Sequence, residues 1–562
     1  MTQKNRVLAV VGKMVKSPPS KALSVFNSST LQGLQHTPES ISFALHLLLS
    51  YDMISHAQSL LLRILSGRIS SAHFTPFSLF DKLTQPNLDS NMRTKVLLYE
   101  AIINAHVQSR LPEQAIDYFN RMVDGGVLPG SKTLNNLLSF LVKSGCLEKA
   151  WMVFKKGRVK LDVYSFGIMI KGCCDTSDLR RGLELLTQLE EMGFSSNVVI
   201  FTTLIDGCCK DGDIDQAKTL FSKMEELGLI PNEYTYTVLI SGLFKKGMKN
   251  DGFDLYEKMQ KQGVFPNLYT YNCMMNEYCN EGEIGKAFEV FDEMRERGVA
   301  CNVVTYNTLI GGLCGQTRMW EAERLVDQMN AAGITPNLIT YNTLIHGFCN
   351  AGKLGKAMSL FNQLKFMGQS PSQVTYNTLI AGAARAKDSI RVAYLVKEME
   401  ERGIWSSKVT YTIVIDAFVR LDNMEKGFEI YSFMKNLGLV PDVYTYGVLI
   451  NGLCIKGQMK EASKLFKLMT EEISLKPNDV VYNTMIHGYC KEGSSYRALR
   501  LLREMAEEGL VPNVASYSST IRVLCKDGKW EEAEVLLDEM IKSGFKPSFS
   551  SYNMISKAKD PT

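Results

Sequence analysis

The heptapeptide VTYNTLI, Val304 to Ile310, returns in full or near-full form about every 35 residues along most of the chain. Copies read VIFTTLI from Val199, YTYTVLI from Tyr234, ITYNTLI from Ile339, VTYNTLI from Val374, VTYTIVI from Val409, YTYGVLI from Tyr444 and VVYNTMI from Val480. A period of this size marks a solenoid, in which each repeat is one supersecondary unit stacked on its neighbours. At 562 residues the chain exceeds the size at which one compact core keeps growing. The repeat decides in favour of an array over several separate domains.

Each repeat reads as two helices. In the copy that begins at Val198, counting from Phe201, Leu204, Ile205, Cys208 and Cys209 form one apolar helical face. A break follows at Asp211-Gly212, and the same glycine recurs as Gly145, Gly247, Gly282, Gly352, Gly457, Gly493 and Gly528, where the chain must turn. The second helix, Ile214 to Glu226, aligns Ala217, Leu220, Phe221 and Met224, then stops at Gly228 and Pro231. Gly263 with Pro266, Gly333 with Pro336, Gly438 with Pro441 and Gly509 with Pro512 repeat that stop. The fold class is all-α. A small residue recurs where helices approach, as Ala115, Ala150, Ala217, Ala287, Ala322, Ala357, Ala462, Ala498 and Ala533. One hairpin cannot cover both its faces, so neighbours must stack, with the first helices lining the inner surface of a superhelix.

Composition adds exclusions. A net charge of +4 does not by itself announce nucleic acid. The most apolar stretch, Ile41 to Leu65, carries His46, Asp52, His56 and Arg63, which argues against membrane insertion. Of 13 cysteines, Cys174, Cys209, Cys279, Cys314, Cys349, Cys454, Cys490 and Cys525 share one position on the first helix. One cysteine per repeat makes no tetrahedral metal site and no Cys-x-x-Cys occurs, so these read as small core residues of a reducing compartment. Met122, Met224, Met259, Met294, Met329, Met399, Met434, Met469, Met505 and Met540 share one position on the second helix and read as packing. His346 and His487 are equivalent positions in two repeats, which points to the scaffold rather than to a catalytic histidine. No phosphate loop, nucleophile elbow or deaminase motif appears, and neither an enzyme activity, a metal nor a cofactor is implied.

Two positions use a narrow alphabet. Directly after the buried-face aromatic (Leu134 in one copy) stands Asn135, Gly167, Thr202, Thr237, Asn272, Asn307, Asn342, Asn377, Thr412, Gly447, Asn483 or Ser518. Each repeat closes on Asp162, Asn197, Asn232, Asn267, Asn302, Asn337, Ser372, Ser407, Asp442, Asn478, Asn513 or Ser548. Helix capping and turn formation account for such residues singly. They give no reason for the combinatorial pairing.

These residues resemble the pentatricopeptide repeat proteins, in the subclass built from 35-residue units only, over Val96 to about Asn553 and some thirteen units. The resemblance implies a right-handed α-α superhelix in which each hairpin reads one nucleotide of single-stranded RNA. The paired positions above would meet the base edge. Val199, Tyr234, Tyr269, Val304, Ile339, Val374, Val409, Tyr444 and Val480 look like the family's apolar spacers that sandwich bases. The family's pairing rules then imply a core U-N-A-A-Y-Y-C-C-G-N-Y. In it Asn135 with Asp162 stands for uracil, Thr202 with Asn232 and Thr237 with Asn267 for adenines, and Thr412 with Asp442 for guanine. Asn342 with Ser372 and Asn377 with Ser407 stand for cytosines. Asn272 with Asn302, Asn307 with Asn337 and Asn483 with Asn513 stand for pyrimidines. Gly167 with Asn197, Gly447 with Asn478, Ser518 with Ser548 and Glu100 with Gly130 lie outside the pattern.

Lys143, Lys210, Lys245, Arg385, Arg420, Lys491 and Lys526 share the last turn of the first helix. Cations there favour the helix C-terminus and are also placed to meet phosphates. Residues 1–38 hold no Asp or Glu and five lysines or arginines. That suits an organelle presequence, mitochondrial or alternatively plastid, and equally a degenerate helical unit. Residues 39–95 read as degenerate helical units and 554–562 as a short polar tail. The expectation is a monomeric, non-catalytic RNA binder acting alone or with a separate RNA-processing enzyme. The alternative is a protein-binding scaffold of the tetratricopeptide kind, whose 34-residue period and Trp and Tyr landmarks are absent.

Overall fold

The computed structural model describes residues 9–13, 18–32, 34–69, 75–84, 92–156, 160–404, 407–472 and 475–559. Among them every regular element is a helix. The chain divides into two compact bodies, Met1–Cys273 and Met274–Thr562. Each is a run of stacked helical hairpins.

The hairpin read from sequence is present as drawn: Val198–Asp211, then Ile214–Glu226. The closing residue of one repeat starts the next, because its side-chain oxygen accepts the N–H three residues on, as Asn302 does from Thr305 at 3.0 Å. The inter-helix turn needs a left-handed residue, which Gly212 supplies at φ 80°. Five repeats lack glycine there, and Arg110, Ser177, Thr317, Lys387 and Asp422 take φ of 55–64° instead. These L-residues are strained locally and are held by the helices on either side.

Within a body the core is continuous. The recurring alanines and methionines are fully buried. The repeat's aromatic meets the preceding second helix edge-on, as in Phe221–Tyr236 at 5.4 Å and Phe361–Tyr376 at 5.4 Å. Successive first helices interlock through a glycine. A Cβ on Gly382 would stand 2.6 Å from Cys349 Sγ, and the same fit joins Gly242 to Cys209, Gly312 to Cys279 and Gly347 to Cys314. The recurring cysteine is therefore a knob in a glycine hole. Burial pushes these thiols up, to about 12 for Cys209 and Cys314 and about 11 for Cys349. They remain protonated and inert at neutral pH.

Two repeats depart from the common length. From Asp442 to Asn478 there is one extra residue, and the second helix widens to a π turn at Leu468–Glu472. From Gly130 to Asp162 there are three fewer, and the second helix is only Leu147–Phe154. The first helices keep 13 or 14 residues in both.

At the N-terminus, helix Pro19–Leu31 packs like part of a repeat. Phe26 is fully buried and stacks on His36 at 3.9 Å, and Arg63 donates to Asn27 Oδ1 at 2.6 Å. Burial and Arg63 hold the His36 pKa down to about 4, so that imidazole is neutral. Residues 1–8 and 14–17 of the presequence expectation, and 560–562 of the tail, lie outside the described residues. No described helix is long and apolar enough to cross a membrane.

Candidate nucleic-acid interface

The site is built from the N-terminal halves of the first helices. All twelve closing residues cap a helix. Asp162, Asn197, Asn232, Asn302, Asn337, Ser372, Ser407, Asp442, Asn478 and Asn513 accept from the third helical N–H. Asn267 does so from Thr270 at 3.0 Å and Ser548 from Ser551 at 3.3 Å. The closing residues, which read from sequence as turn formers, are helix caps, and the cap also orients the group. With Oδ1 committed to the helix, an Asn turns its amide NH2 away from the cap, and an Asp its second oxygen. Burial raises the Asp162 carboxyl, but hydrogen bonds from the Ser165 N–H and Asn135 outweigh it and leave the pKa lowered.

The residues after the aromatic do not cap. Eight of them reach across to the next repeat, to a buried hydroxyl three positions past the closing residue. Thr340 Oγ1 donates to Asn307 Oδ1 at 2.7 Å, Thr375 to Asn342 at 2.7 Å, Ser165 to Asn135 at 2.7 Å and Ser516 to Asn483 at 2.6 Å. Thr202 meets Thr235 at 2.7 Å, Thr237 meets Thr270 at 2.5 Å, Thr412 meets Thr445 at 2.7 Å, and Asn377 donates to Thr410 at 3.2 Å. The sequence-paired residues themselves touch in three repeats: Asn135 Nδ2 to Asp162 at 3.2 Å, Asn342 to Ser372 at 3.4 Å and Asn307 to Asn337 at 3.5 Å. In a fourth, the Asn513 N–H donates to Asn483 Oδ1 at 3.4 Å. Asn135, Thr202 and Thr237 are buried, while the Asn and Thr of the C-terminal body are half-buried. Asn272 and Asn302 fall one in each body. Ser518 is half-buried and Ser548 exposed.

The apolar spacers are all exposed, from 54% for Tyr234 to 71% for Tyr444. Nine large apolar side chains standing in water at one register position are not packing residues. Tyr164 belongs to the same row at 71% exposure. Sequence reading passed it over, although it lies 35 residues before Val199.

In the N-terminal body these features enclose one cavity of about 430 Å³, lined by Tyr234, Tyr269, Thr237, Asn267, Lys210 and Lys245. In the C-terminal body a cavity of about 470 Å³ joins Val374, Asn377, Arg385 and Arg420. The cations are not equivalent. Lys210 pairs with Asp206 at 2.7 Å and Arg420 with Asp416 at 2.6 Å, each one helical turn earlier. Among the described residues Lys143, Lys245, Arg385, Lys491 and Lys526 have no acidic side chain in ion-pair range. The N-terminal body therefore carries Lys143 and Lys245 unneutralised, and the C-terminal body Arg385, Lys491 and Lys526. His346 lines the C-terminal cavity beside Asn350, His487 is exposed, and no cluster of side chains that could hold a metal ion occurs among the described residues.

The model of the PPR repeat family matches residues 129–175, 196–245, 236–280, 266–315, 302–350, 336–385, 371–420, 406–455 and 477–526. A second PPR repeat model adds 98–127, 164–194, 444–472 and 515–545. These matches cover well over half of the chain, which belongs to the pentatricopeptide repeat family. A pentatricopeptide repeat-containing protein of Arabidopsis thaliana is 58% identical over 199 residues, 35% of this chain and 35% of that protein. Another from the same plant, named as mitochondrial, is 29% identical over 160 residues, 25% of each. The chain thus spans about a third or less of the length of these curated relatives. Among solved structures, the maize pentatricopeptide repeat protein PPR10 aligns over 98% of this chain and 90% of its own, at 20% identity and a TM-score of 0.49. The same protein in complex with an 18-nt psaJ RNA element aligns over 99% and 90%, at 19% identity and a TM-score of 0.47.

Proposed function

We propose that the chain is a non-catalytic, sequence-specific binder of single-stranded RNA that takes one nucleotide per repeat and acts in organelle RNA metabolism. The observation that carries this reading is that, in the repeats of Val199, Tyr234, Val374, Val409 and Val480, an exposed apolar side chain, a polar pair and a helix-terminal cation recur at the same register positions, whereas Asn280, Gly315, Asn350 and Ile455 stand where other repeats carry the cation. Each feature answers one part of a nucleotide. Bases stack on apolar and aromatic side chains, at about 1–3 kcal/mol per base for aromatic ones. Unstacked bases present their edges to the polar pair, and phosphates meet the cations. Val199, Val304 and Val480 stack less strongly than Tyr234, Tyr269 and Tyr444, so the tyrosine repeats anchor the strand.

The pairs Thr202/Asn232 and Thr237/Asn267, and those that follow as far as Thr412/Asp442, give the target A-A-Y-Y-C-C-G within U-N-A-A-Y-Y-C-C-G-N-Y. The mechanism is occupancy. A bound monomer shields its segment from nucleases, remodels local RNA structure or presents a site to a separate processing enzyme. Its place is the mitochondrion, with the plastid as the alternative; relatives named as mitochondrial support an organelle. The test is selection from a random single-stranded RNA pool by the recombinant chain at stated salt, with sequencing of the bound fraction. Enrichment of A-A-Y-Y-C-C-G supports both register and function. No retention of RNA at low salt overturns the reading in favour of a protein-binding scaffold.

A further inference from the structure

The hydroxyl that meets each reading residue comes from the following repeat, and it is fully or almost fully buried: Ser165, Thr235, Thr270, Thr340, Thr375 and Thr445 are at 0% exposure. Packing alone does not need a hydroxyl there, since valine has the same shape; the hydroxyl closes a capping box, as Thr340 Oγ1 does by accepting the Asn337 N–H at 3.1 Å, and its own proton is left to give elsewhere. Its partners are specific. Thr340 Oγ1 lies 2.7 Å from Asn307 Oδ1 and 3.2 Å from Asn337 Oδ1, so it bridges the two members of one reading pair. A hydroxyl has one proton to give. Donated to Asn307 Oδ1, it turns the Asn307 amide NH2 so that one N–H faces Asn337 Oδ1 at 3.5 Å and the other is left over, while the Thr340 N–H fixes Asn337 Oδ1 at 3.1 Å. The groups the pair has left over are then N–H donors, complementary to the carbonyl oxygens of a pyrimidine.

Two repeats break this arrangement in a correlated way. Where the following repeat supplies Ile200 or Val481 in place of the hydroxyl, the reading residue is glycine, Gly167 or Gly447. The caps survive, since the Ile200 N–H reaches Asn197 at 3.0 Å and the Val481 N–H reaches Asn478 at 3.0 Å. A Cβ on Gly447 would lie 3.2 Å from Val481 Cγ2, so the aliphatic side chain occupies part of the space a side chain at 447 would need. We propose that base selection in each repeat requires the buried hydroxyl of the next repeat as a positioning group, and that the repeats closed by Asn197 and Asn478 take a nucleotide without selecting its base. This rests on the RNA-binding reading above.

The experiment measures full-length protein on four RNAs that differ only at the base assigned to Asn307, and on four that differ only at the base assigned to Gly447. Thr340→Val should cut the pyrimidine preference at the first site by roughly tenfold and leave preferences at the other bases in place. Thr340→Ser, which restores the donor, should keep it. Gly447→Asn with Val481→Thr should install a pyrimidine preference at the second site, and Gly447→Asn alone should not. A preference that persists in Thr340→Val, is lost equally in Thr340→Ser, or appears in Gly447→Asn alone overturns the proposal. Wild-type protein that binds all eight RNAs alike overturns the base-reading function itself, which separates the two failures.

Discussion

Replacing Gly382 by alanine sets two helical effects against each other, and the structure says which dominates. In a helix, Gly→Ala is worth about 1 kcal/mol in favour of folding. Here the new Cβ would stand 2.6 Å from Cys349 Sγ and 2.9 Å from Cys349 Cβ, inside van der Waals contact. The third-nearest atom, at 3.7 Å, is also part of Cys349, so relief requires moving one first helix off the next. Overpacking of this kind costs about 1–3 kcal/mol. The net expectation is a loss of up to about 2 kcal/mol. Cys349→Gly empties the space from the other side, so the double variant Gly382→Ala/Cys349→Gly should be more stable than the sum of the singles by about 1–3 kcal/mol. Urea unfolding of the full chain followed by circular dichroism reads this as midpoints. A stacked array need not unfold in one step, so the four proteins of the cycle are compared on the same transition. A midpoint that rises in Gly382→Ala by the propensity gain alone refutes the interlock.

Three further outcomes follow from the described geometry. Lys245→Ala with Lys491→Ala should weaken binding to all RNAs alike and lower the slope of log affinity against log salt by about 1.4, whereas Lys210→Ala, whose charge Asp206 already shares, should do less than Lys245→Ala. Burial raises Cys174, Cys209 and Cys314 to about 12 from a usual 9.0, so their contribution to stability is present below pH 9 and is lost as pH climbs toward 12. These thiols should therefore react with a disulfide reagent at pH 8 only in denaturant, and reaction of the native chain at all three would contradict the packing. Thr412→Asn should move one base from guanine toward uracil by about 1–3 kcal/mol, read by competition binding; an unchanged preference rejects the register.

Helix boundaries were legible because their signals are local. Asn197 before Val198, Gly212 after Asp211 and Gly228 with Pro231 each mark a turn on steric grounds. What escaped was everything whose partner lies 33 residues away. Thr340 is part of the repeating heptapeptide, yet nothing in its own helix shows that its hydroxyl meets Asn307. Gly242, inside a first helix, reads locally as a propensity loss, and its reason is Cys209 in the previous repeat. The closing Asx and Ser residues read from sequence as turn formers, and in the structure they are helix caps. The pairing of Lys210 with Asp206 and Arg420 with Asp416 was written at i,i+4 spacing. It changes what those cations have left to offer a phosphate.

The π turn at Leu468–Glu472 and the clipped helix Leu147–Phe154 bear on how such a chain can change over generations. Despite one residue too many, Asn478 still caps the Val481 N–H at 3.0 Å, and despite three too few, Asn135 still reaches Asp162 at 3.2 Å. Length errors are discharged on the second helix, and the capping of the first is untouched. The stack re-registers at every cap, so a one-residue insertion in a second helix is a local event rather than a shift carried through all the repeats beyond it.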